Sequence, residues 1–398
     1  MILSRKIASV EESQTLALTR LAGQMKARGV DLVSLTAGEP DFPTPSHVKD
    51  AAIAAIRENF THYTPVGGIP ELIAAVREKF ARENGLSFEA PQILVSCGAK
   101  QSIFNALAAI CNPQDEVIIP APYWVSYPEM AKIADAVPVI VSAGADTGYK
   151  ITPEALRRAI TPRSKVLILN SPSNPTGAVY SKQELAGIAE VAAAAGLYVI
   201  SDEIYEKILY DGSRHESIGA MDAVRDRVIT VNGVSKAYAM TGWRIGYMGG
   251  PADVIQAAAK VQSQATSNAN SIAQRAALAA LTGPADEVLV MAAEFGRRRE
   301  YFVGRLRAVP GMKLVPPAGA FYVFPDVSGC IGAGWKDAPI ATDMDLASYL
   351  MEEAKVAVVP GSAFGAPNHI RLSFACSMRE ITEAANRIEA ALKTLLKR

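Results

Sequence analysis

Cysteine and histidine are both scarce in this chain, with four of each in 398 residues. Cys97, Cys111, Cys330 and Cys376 lie far apart with no CxxC pair, and His47, His62, His215 and His369 show no metal-ligand spacing beside them. This argues against a disulfide framework or a structural zinc, so no metal is expected and the cysteines read as small core residues. A surplus of charge is lacking too. Forty basic residues against forty acidic ones give a formal charge of zero, which removes any bulk electrostatic case for nucleic acid or an anionic membrane as partner. No apolar run approaches the roughly 18 to 20 residues of a membrane span, and the opening MILSRKIASVEESQ has no signal-peptide hydrophobic region. The expectation is a cytoplasmic protein whose partners are small molecules and other protein chains.

What the chain does have is apolar material: 49% hydrophobic residues, in a length at which one core stops growing, so at least two lobes are expected. Short apolar runs alternate with helical patterns, the signature of an α/β protein with a largely parallel sheet covered on both faces. Candidate strands are Ile93 to Ser96, Glu116 to Pro120, Val137 to Val141, Lys165 to Asn170, Leu197 to Asp202, Arg227 to Asn232 and Arg244 to Gly249. Ile69, Leu72, Ile73, Val76 and Phe80 share one face of a helical period that ends near Gly85. Ser181 and Glu184 form a capping box, with Gly196 set to close the helix. After about Gly283 a long charged helix through Glu294 and Arg297 to Glu300 leads to short strands near Phe321 to Phe324 and Ile370 to Phe374. The expected division is a large unit, 46–283, and a smaller α+β unit made of 284–398 with the segment 1–45 packed on it; that first segment shows no nearby strand partner.

The chemistry gathers at strand exits. Asn232-Gly-Val-Ser-Lys236-Ala-Tyr-Ala-Met-Thr-Gly-Trp-Arg244 puts a lysine just past a β-branched strand and an arginine further along. A desolvated lysine forms Schiff bases, and an arginine fork clamps a phosphate; alone, such a pair reads more often as solvated surface charge. Val199-Ile-Ser-Asp202-Glu-Ile-Tyr205 ends a strand on an acid with a phenol close behind. In an open α/β sheet the ligand crevice lies outside the carboxyl ends of the strands. There a carboxylate can keep a pyridine nitrogen protonated, although Asp202 by itself reads equally as a helix N-cap. Asn170-Ser-Pro-Ser-Asn174-Pro-Thr-Gly177 is an irregular turn that aims two asparagines, or simply a tight βα loop. Gly98-Ala99-Lys100 opens a helix, where free N–H groups favour a phosphate.

These exits, read with Thr36-Ala-Gly38-Glu-Pro-Asp-Phe, Tyr63-Thr-Pro-Val-Gly-Gly-Ile-Pro, Pro122-Tyr-Trp124-Val-Ser-Tyr and Ile370-Arg371-Leu-Ser, make the chain resemble the class I aminotransferases of fold type I, within them the bacterial aspartate aminotransferase group. The resemblance spans nearly the whole chain. It implies a fold type I enzyme, with a large domain built on a mostly parallel seven-stranded sheet and a smaller α+β domain, that binds pyridoxal 5'-phosphate. Its activity would be ping-pong exchange of an amino group between L-aspartate, or a related amino acid, and 2-oxoglutarate. Lys236 would carry the coenzyme as a Schiff base and shuttle the proton between the substrate Cα and the coenzyme C4′. Asp202 would pair with the ring nitrogen, Tyr205 and Asn174 would bond the ring O3′, and Trp124 would stack on the ring. Gly98, Ala99, Lys100 and Arg244 would hold the phosphate, helped by Tyr63 from the neighbouring subunit of a homodimer with shared sites. Gly38 by its backbone and Arg371 by its fork would take the substrate α-carboxylate, beside Trp124 and Asn174. Lys100, with Ser13 and Thr15, would meet a distal carboxylate.

Two departures weaken parts of that transfer. Many relatives carry a serine three residues before the lysine as a phosphate ligand, where this chain has Gly233, and close relatives read Lys-Pro-Ser-x-Thr where it has Glu11-Glu12-Ser13-Gln14-Thr15. Substrate range is therefore the open question, with aromatic or prephenate transamination, or a β-lyase on the same coenzyme, as rivals. A metabolite-sensing regulator on the same fold would carry a basic DNA-binding domain, and only about 45 neutral residues precede the first helix of the large unit here.

Overall fold

The computed structural model describes residues 4–12, 14–336 and 338–397. Its largest sheet has seven strands: β2 (Ile93–Ser96), β3 (Glu116–Ala121), β4 (Val137–Ser142), β5 (Ser164–Asn170), β6 (Tyr198–Asp202), β7 (Val228–Gly233) and β8 (Gly246–Gly249), in the order β2-β8-β7-β6-β5-β3-β4. Runs such as Val166 to Leu169 and Val228 to Val231 are buried throughout, as strands covered by helices on both faces must be. Every pairing among β3 to β7 is parallel, whereas β8 runs antiparallel to both β2 and β7. That reversal matters for the site. Gly246, the first residue of β8, pairs with both Ser96 and Gly233, the last residues of β2 and β7. Arg244 therefore lies at the same edge as the exits of the parallel strands. It is not inside the strand, as the sequence pattern suggested: Arg244 adopts a left-handed conformation, φ 57°, just before the strand begins.

The helix expected from Ile69 to Phe80 runs Pro70–Lys79 and widens into a π-turn, Phe80–Asn84, that Gly85 ends at φ 67°. The capping box of Ser181 and Glu184 opens the helix Lys182–Ala194, and Gly196 follows at φ 67°. No single helix among the described residues is long and apolar enough to cross a membrane.

C-terminal to this, the helix Asp286–Arg307 packs on Met378–Leu395. Between them β9 (Tyr322–Val323), β13 (Val359–Pro360) and β14 (Ile370–Ser373) form an antiparallel sheet in the order β13-β14-β9, and β10 (Gly334–Trp335) with β11 (Ala338–Pro339) forms a ribbon. The N-terminal segment does have a strand partner, distant in sequence: β1 (Val33–Ser34) pairs in parallel with β12 (Val356–Ala357). Ala22 and Leu32 bury against Met351 and Ala357 beside this pairing. The core around Phe295, Phe302 and Phe321 also takes in Ile204, Tyr205 and Ile208 from the turn after β6. Tyr205 thus lies where the two parts of the molecule meet.

Candidate active site

A pocket of about 420 Å³ opens at the carboxyl edge of the large sheet. Its lining brings together Gly38, Ala99, Lys100, Trp124, Asn174, Asp202, Tyr205, Lys236, Arg244 and Arg371, with Thr15 at its rim. Gly98 adjoins it through Arg244: its φ of 89° favours glycine, and a Cβ there would push the guanidinium aside. Tyr63 is elsewhere, 92% exposed on a loop outside the pocket. Ser13 lies outside the described residues.

Lys236 follows β7 directly, and its Nζ donates to the Gly38 carbonyl at 2.6 Å. In this chain, then, the Gly38 backbone engages the lysine through its C=O. Desolvation by the surrounding protein pushes the ammonium down to about 8, with Arg244 and Arg371 adding to the effect and Glu39 and Asp202 opposing it. An amine in that range is partly neutral near physiological pH, which is what a nucleophilic lysine requires.

Asp202 ends β6 opposite Asn170 of β5. It is buried, and burial raises its carboxyl to about 6 in spite of two donors, Tyr127 Oη at 2.7 Å and the Ile204 N–H at 3.2 Å. Neither its N-cap reading nor a solvent contact applies, since a turn and not an α-helix follows. Asn170 Nδ2 donates to the Asp202 carbonyl at 2.9 Å and its Oδ1 accepts the Asn174 N–H at 2.8 Å, so one side chain ties both strand exits.

Arg371 sits on β14 and is 2% exposed. Its Nη1 donates to Asn174 Oδ1 at 3.0 Å and its Nη2 to the Thr36 carbonyl at 2.8 Å, while Nε is buried without a partner. The guanidinium lies 4.5 Å from the Tyr322 ring centroid and 5.0 Å from that of Phe364. Burial lowers its pKa, and no carboxylate among the described residues pairs with it. A guanidinium so desolvated is short of an anion. Tyr205 Oη and Tyr322 Oη share a hydrogen bond of 2.9 Å beside it, and burial raises the Tyr205 phenol well above its ordinary range.

Lys100 Nζ stands 4.9 Å from the Trp124 ring centroid, a cation–π contact, and Trp124 meets Tyr127 edge-on at 5.3 Å. Arg244 is positioned by donation to the Thr241 carbonyl at 2.9 Å and the Cys97 carbonyl at 3.4 Å. The lining carries four basic side chains, Lys100, Lys236, Arg244 and Arg371, against two acidic ones, Glu39 and Asp202. The balance favours anionic ligands.

Several lining residues escaped the sequence reading. Tyr127 was visible as the last residue of the Pro122 to Tyr127 motif but had no assigned partner. Tyr322 fell within the short strand expected near Phe321 to Phe324 and had no assigned role. Glu39, whose carboxylate accepts from Thr241 Oγ1 at 2.6 Å, was one letter of a motif noted for Gly38. The glycine at 233 also gains a reason: a Cβ there would stand 3.0 Å from both the Ile245 carbonyl and the Gly246 Cα, and Ser235 lines the pocket instead.

A lysine presented at this edge of a sheet with this strand order is what makes a fold type I α/β enzyme. The model of the family described as aminotransferase class I and II matches residues 30–388, and the chain belongs to that family. It is 47% identical over 393 residues to an aspartate aminotransferase of Bacillus sp. strain YM-2, covering 98% of this chain and 99% of the relative. It is 50% identical over 393 residues to an aspartate/prephenate aminotransferase of Cereibacter sphaeroides, covering 98% of each. Among solved structures, the aspartate aminotransferase from Rhizobium meliloti superposes with a TM-score of 0.96 at 46% identity, covering 99% of this chain and 100% of that one. The Thermus thermophilus aspartate aminotransferase with maleate superposes with a TM-score of 0.93 at 47% identity, covering 98% and 100%.

Proposed function

We propose that this enzyme transfers the amino group of L-aspartate to 2-oxoglutarate, using pyridoxal 5'-phosphate held on Lys236, as a cytoplasmic homodimer whose sites are shared between subunits. The observation that carries the reading is the buried Arg371 guanidinium, bonded to Asn174 and Thr36 but with no anionic partner among the described residues, in a pocket shared with a lysine depressed to about 8. Names of relatives support the substrate: those about half identical are aspartate or aspartate/prephenate aminotransferases, and the Thermus enzyme was solved with maleate, a dicarboxylate.

The residues suit the coenzyme. The glycine cradle at Gly98, the helix start at Ala99 and the Arg244 fork fit a phosphate. Asp202, raised to about 6 in a site with no cationic ring beside it, would ionise once a pyridinium faced it. When bound, the coenzyme supplies the aldehyde that carries the amino group and the electron sink that makes the substrate Cα acidic. The protein does the rest. Asn174 and Tyr205 would hydrogen-bond the ring, Trp124 would cover it, and Arg371 would take the substrate α-carboxylate in the pocket that Lys236 also lines. The Lys236 amine, depressed into the range where it is partly neutral, would be the base that takes the proton from the substrate Cα and the acid that gives it back. Residues 46–283 would form the cofactor-binding unit, with 1–45 and 284–398 closing the substrate side.

Reduction with borohydride in the presence of coenzyme tests the assignment, with label expected on Lys236 and no visible absorbance in Lys236→Ala. Label on another lysine would overturn it. A panel of amino acids against 2-oxoglutarate, oxaloacetate and prephenate then decides the substrate; prephenate belongs in it because of the Cereibacter relative's name.

A further inference from the structure

Behind the turn after β6 lies a buried ionic cluster that the pocket does not use. Glu203, the neighbour of Asp202, is 0% exposed and accepts from four side chains. Ser201 Oγ at 2.8 Å and Ser217 Oγ at 2.6 Å bond one oxygen; Asn84 Nδ2 at 2.9 Å and His215 Nε2 at 2.8 Å bond the other. Glu206, the neighbour of Tyr205, pairs with Lys79 and accepts from Asn84 Nδ2 at 2.8 Å, with His215 Nε2 4.0 Å away. Asn84 is the last residue of the π-turn, and its amide reaches both carboxylates. The two residues that would work on the ring are thus each followed by a carboxylate anchored on the far side of the same turn.

Among the buried groups the charges do not balance without His215. Glu203 and Glu206 are two buried anions, and Lys79, 1% exposed, is one buried cation. Outside it Glu83 meets Lys207 at 2.8 Å and the largely exposed Arg82 at 2.7 Å, so this outer group carries one cation in excess at the rim, and Glu83 also stands 3.7 Å from Lys79. The phenols of Tyr238 and Tyr247 face the cluster but are pushed up by burial and by Glu83 and Glu206, so they stay neutral. Burial would lower the His215 imidazole, yet Glu203 and Glu206 outweigh it and raise the ring above its ordinary value. Its Nδ1 is buried without a partner, so the ring is held from the Nε2 side by carboxylates alone. Glu203, Glu206 and His215 also lie close enough to hold a metal ion, but the Lys79 ammonium is already seated against Glu206 and supplies the positive charge there.

We propose that His215, held as an imidazolium between Glu203 and Glu206, is a positioning residue for the turn Asp202–Tyr205, its charge cancelling that of Glu203 so that Asp202 can stay an anion facing the pocket. This role rests on the coenzyme reading above. Without the imidazolium, Glu203 would be an uncompensated buried anion one residue from Asp202, and its field opposes ionisation of Asp202.

Two measurements test it. The chain has four histidines, so ¹⁵N NMR of the histidine-labelled protein resolves each ring; His215 should be protonated at pH 7 and titrate above the ordinary value of about 6.5. A neutral His215 ring at pH 7 overturns the proposal, and this arm decides even if a variant fails to fold. Coenzyme affinity is then followed by fluorescence between pH 5 and 9 in wild type, His215→Gln, Glu203→Gln and the double variant. His215→Gln should move the acid limb upward by about one pH unit, a roughly tenfold weaker affinity on the limb, and the double variant should return it to the wild-type position. An equal loss at every pH, or a double variant that fails to recover, would mark a packing role only and sink the proposal alone. A wild-type chain that binds no coenzyme would sink the coenzyme reading and this role together.

Discussion

Arg371 reaches Asn174 across the molecule: Nη1 on β14 of the C-terminal sheet donates at 3.0 Å to the side chain of a loop that leaves β5 of the large sheet. The anion site is therefore built jointly by two parts of the chain. Removing one partner of a desolvated charge pair costs about 2 to 5 kcal/mol, so Arg371→Ala should lower kcat/KM by roughly 30-fold to several thousand-fold. Because every amino acid brings an α-carboxylate, the loss should be equal for acidic and neutral substrates. Steady-state kinetics on aspartate, alanine and phenylalanine measure it, and a loss confined to aspartate would mean that Arg371 reads the side chain.

Asp202 carries a pH prediction whose sign follows from its raised value. The coenzyme-free protein holds this carboxyl at about 6 against an ordinary 3.8, so its favourable contribution to stability is full below about pH 4 and is lost as pH rises toward 6. Above that, the folded chain keeps a buried charge at a cost. Asp202→Asn should therefore raise the Tm of the coenzyme-free protein at pH 8 and leave it little changed at pH 4.5, while weakening coenzyme binding and proton transfer. Thermal unfolding at the two pH values is the check; a variant less stable at pH 8, or one with unchanged turnover, would refute the assigned environment.

The inner strands of the sheet were readable because they are buried on both faces, and continuous runs such as Val166 to Leu169 have little other use. Arg244 was misassigned to a strand because a left-handed residue breaks the extended pattern without altering composition. The pairing of β1 with β12 left no trace, since two-residue strands show no period and their partners are remote in sequence. Within the site, Lys236, Asp202 and Asn174 announced themselves by standing at strand exits. Tyr127 and Tyr322 did not, because a phenol in an apolar neighbourhood reads as core until its hydroxyl partner is known. The His215 cluster was equally hidden: Lys79 and Asn84, Glu203 and Glu206, and His215 itself belong to three segments that meet only in the folded chain.

Tyr63 is 92% exposed, yet its loop is fastened. Gln274 Nε2 donates to Thr64 Oγ1 at 2.9 Å, and Val95 N–H donates to the Gly67 carbonyl at 2.9 Å. A phenol held rigidly outside its own pocket suits a partner's phosphate in a C₂ dimer. Tyr63→Phe should weaken coenzyme retention by roughly tenfold or more, the loss of one hydrogen bond to a charged group at about 1.5 kcal/mol. Hybrids with Lys236→Ala decide the geometry. Shared sites would give each hybrid one pocket with both lesions and one restored to wild-type affinity, and hybrids without a restored site would sink the arrangement.

Lys100 is the remaining cation, and its place over Trp124 lets two roles be separated. Its Nζ is 4.9 Å from the indole centroid, in a pocket that Thr15 and Ser126 also line. Burial and the neighbouring Arg244 both lower its pKa, which favours acquisition of an anion from either source, a phosphate or a substrate side chain. The phosphate role would make Lys100→Ala lose coenzyme whatever the substrate. The side-chain role would leave coenzyme affinity near wild type and penalise aspartate by at least about 1.5 kcal/mol more than alanine or phenylalanine, the low end for a hydrogen bond to a charged group. In kcat/KM that is a selective loss of roughly tenfold. Since Trp124 should pack on the coenzyme ring, Lys100→Met, which preserves the aliphatic stem over the indole, is the better variant. Measured with saturating coenzyme, equal losses for acidic and neutral amino acids would remove Lys100 from substrate selection and leave the preference for aspartate to the residues around Thr15.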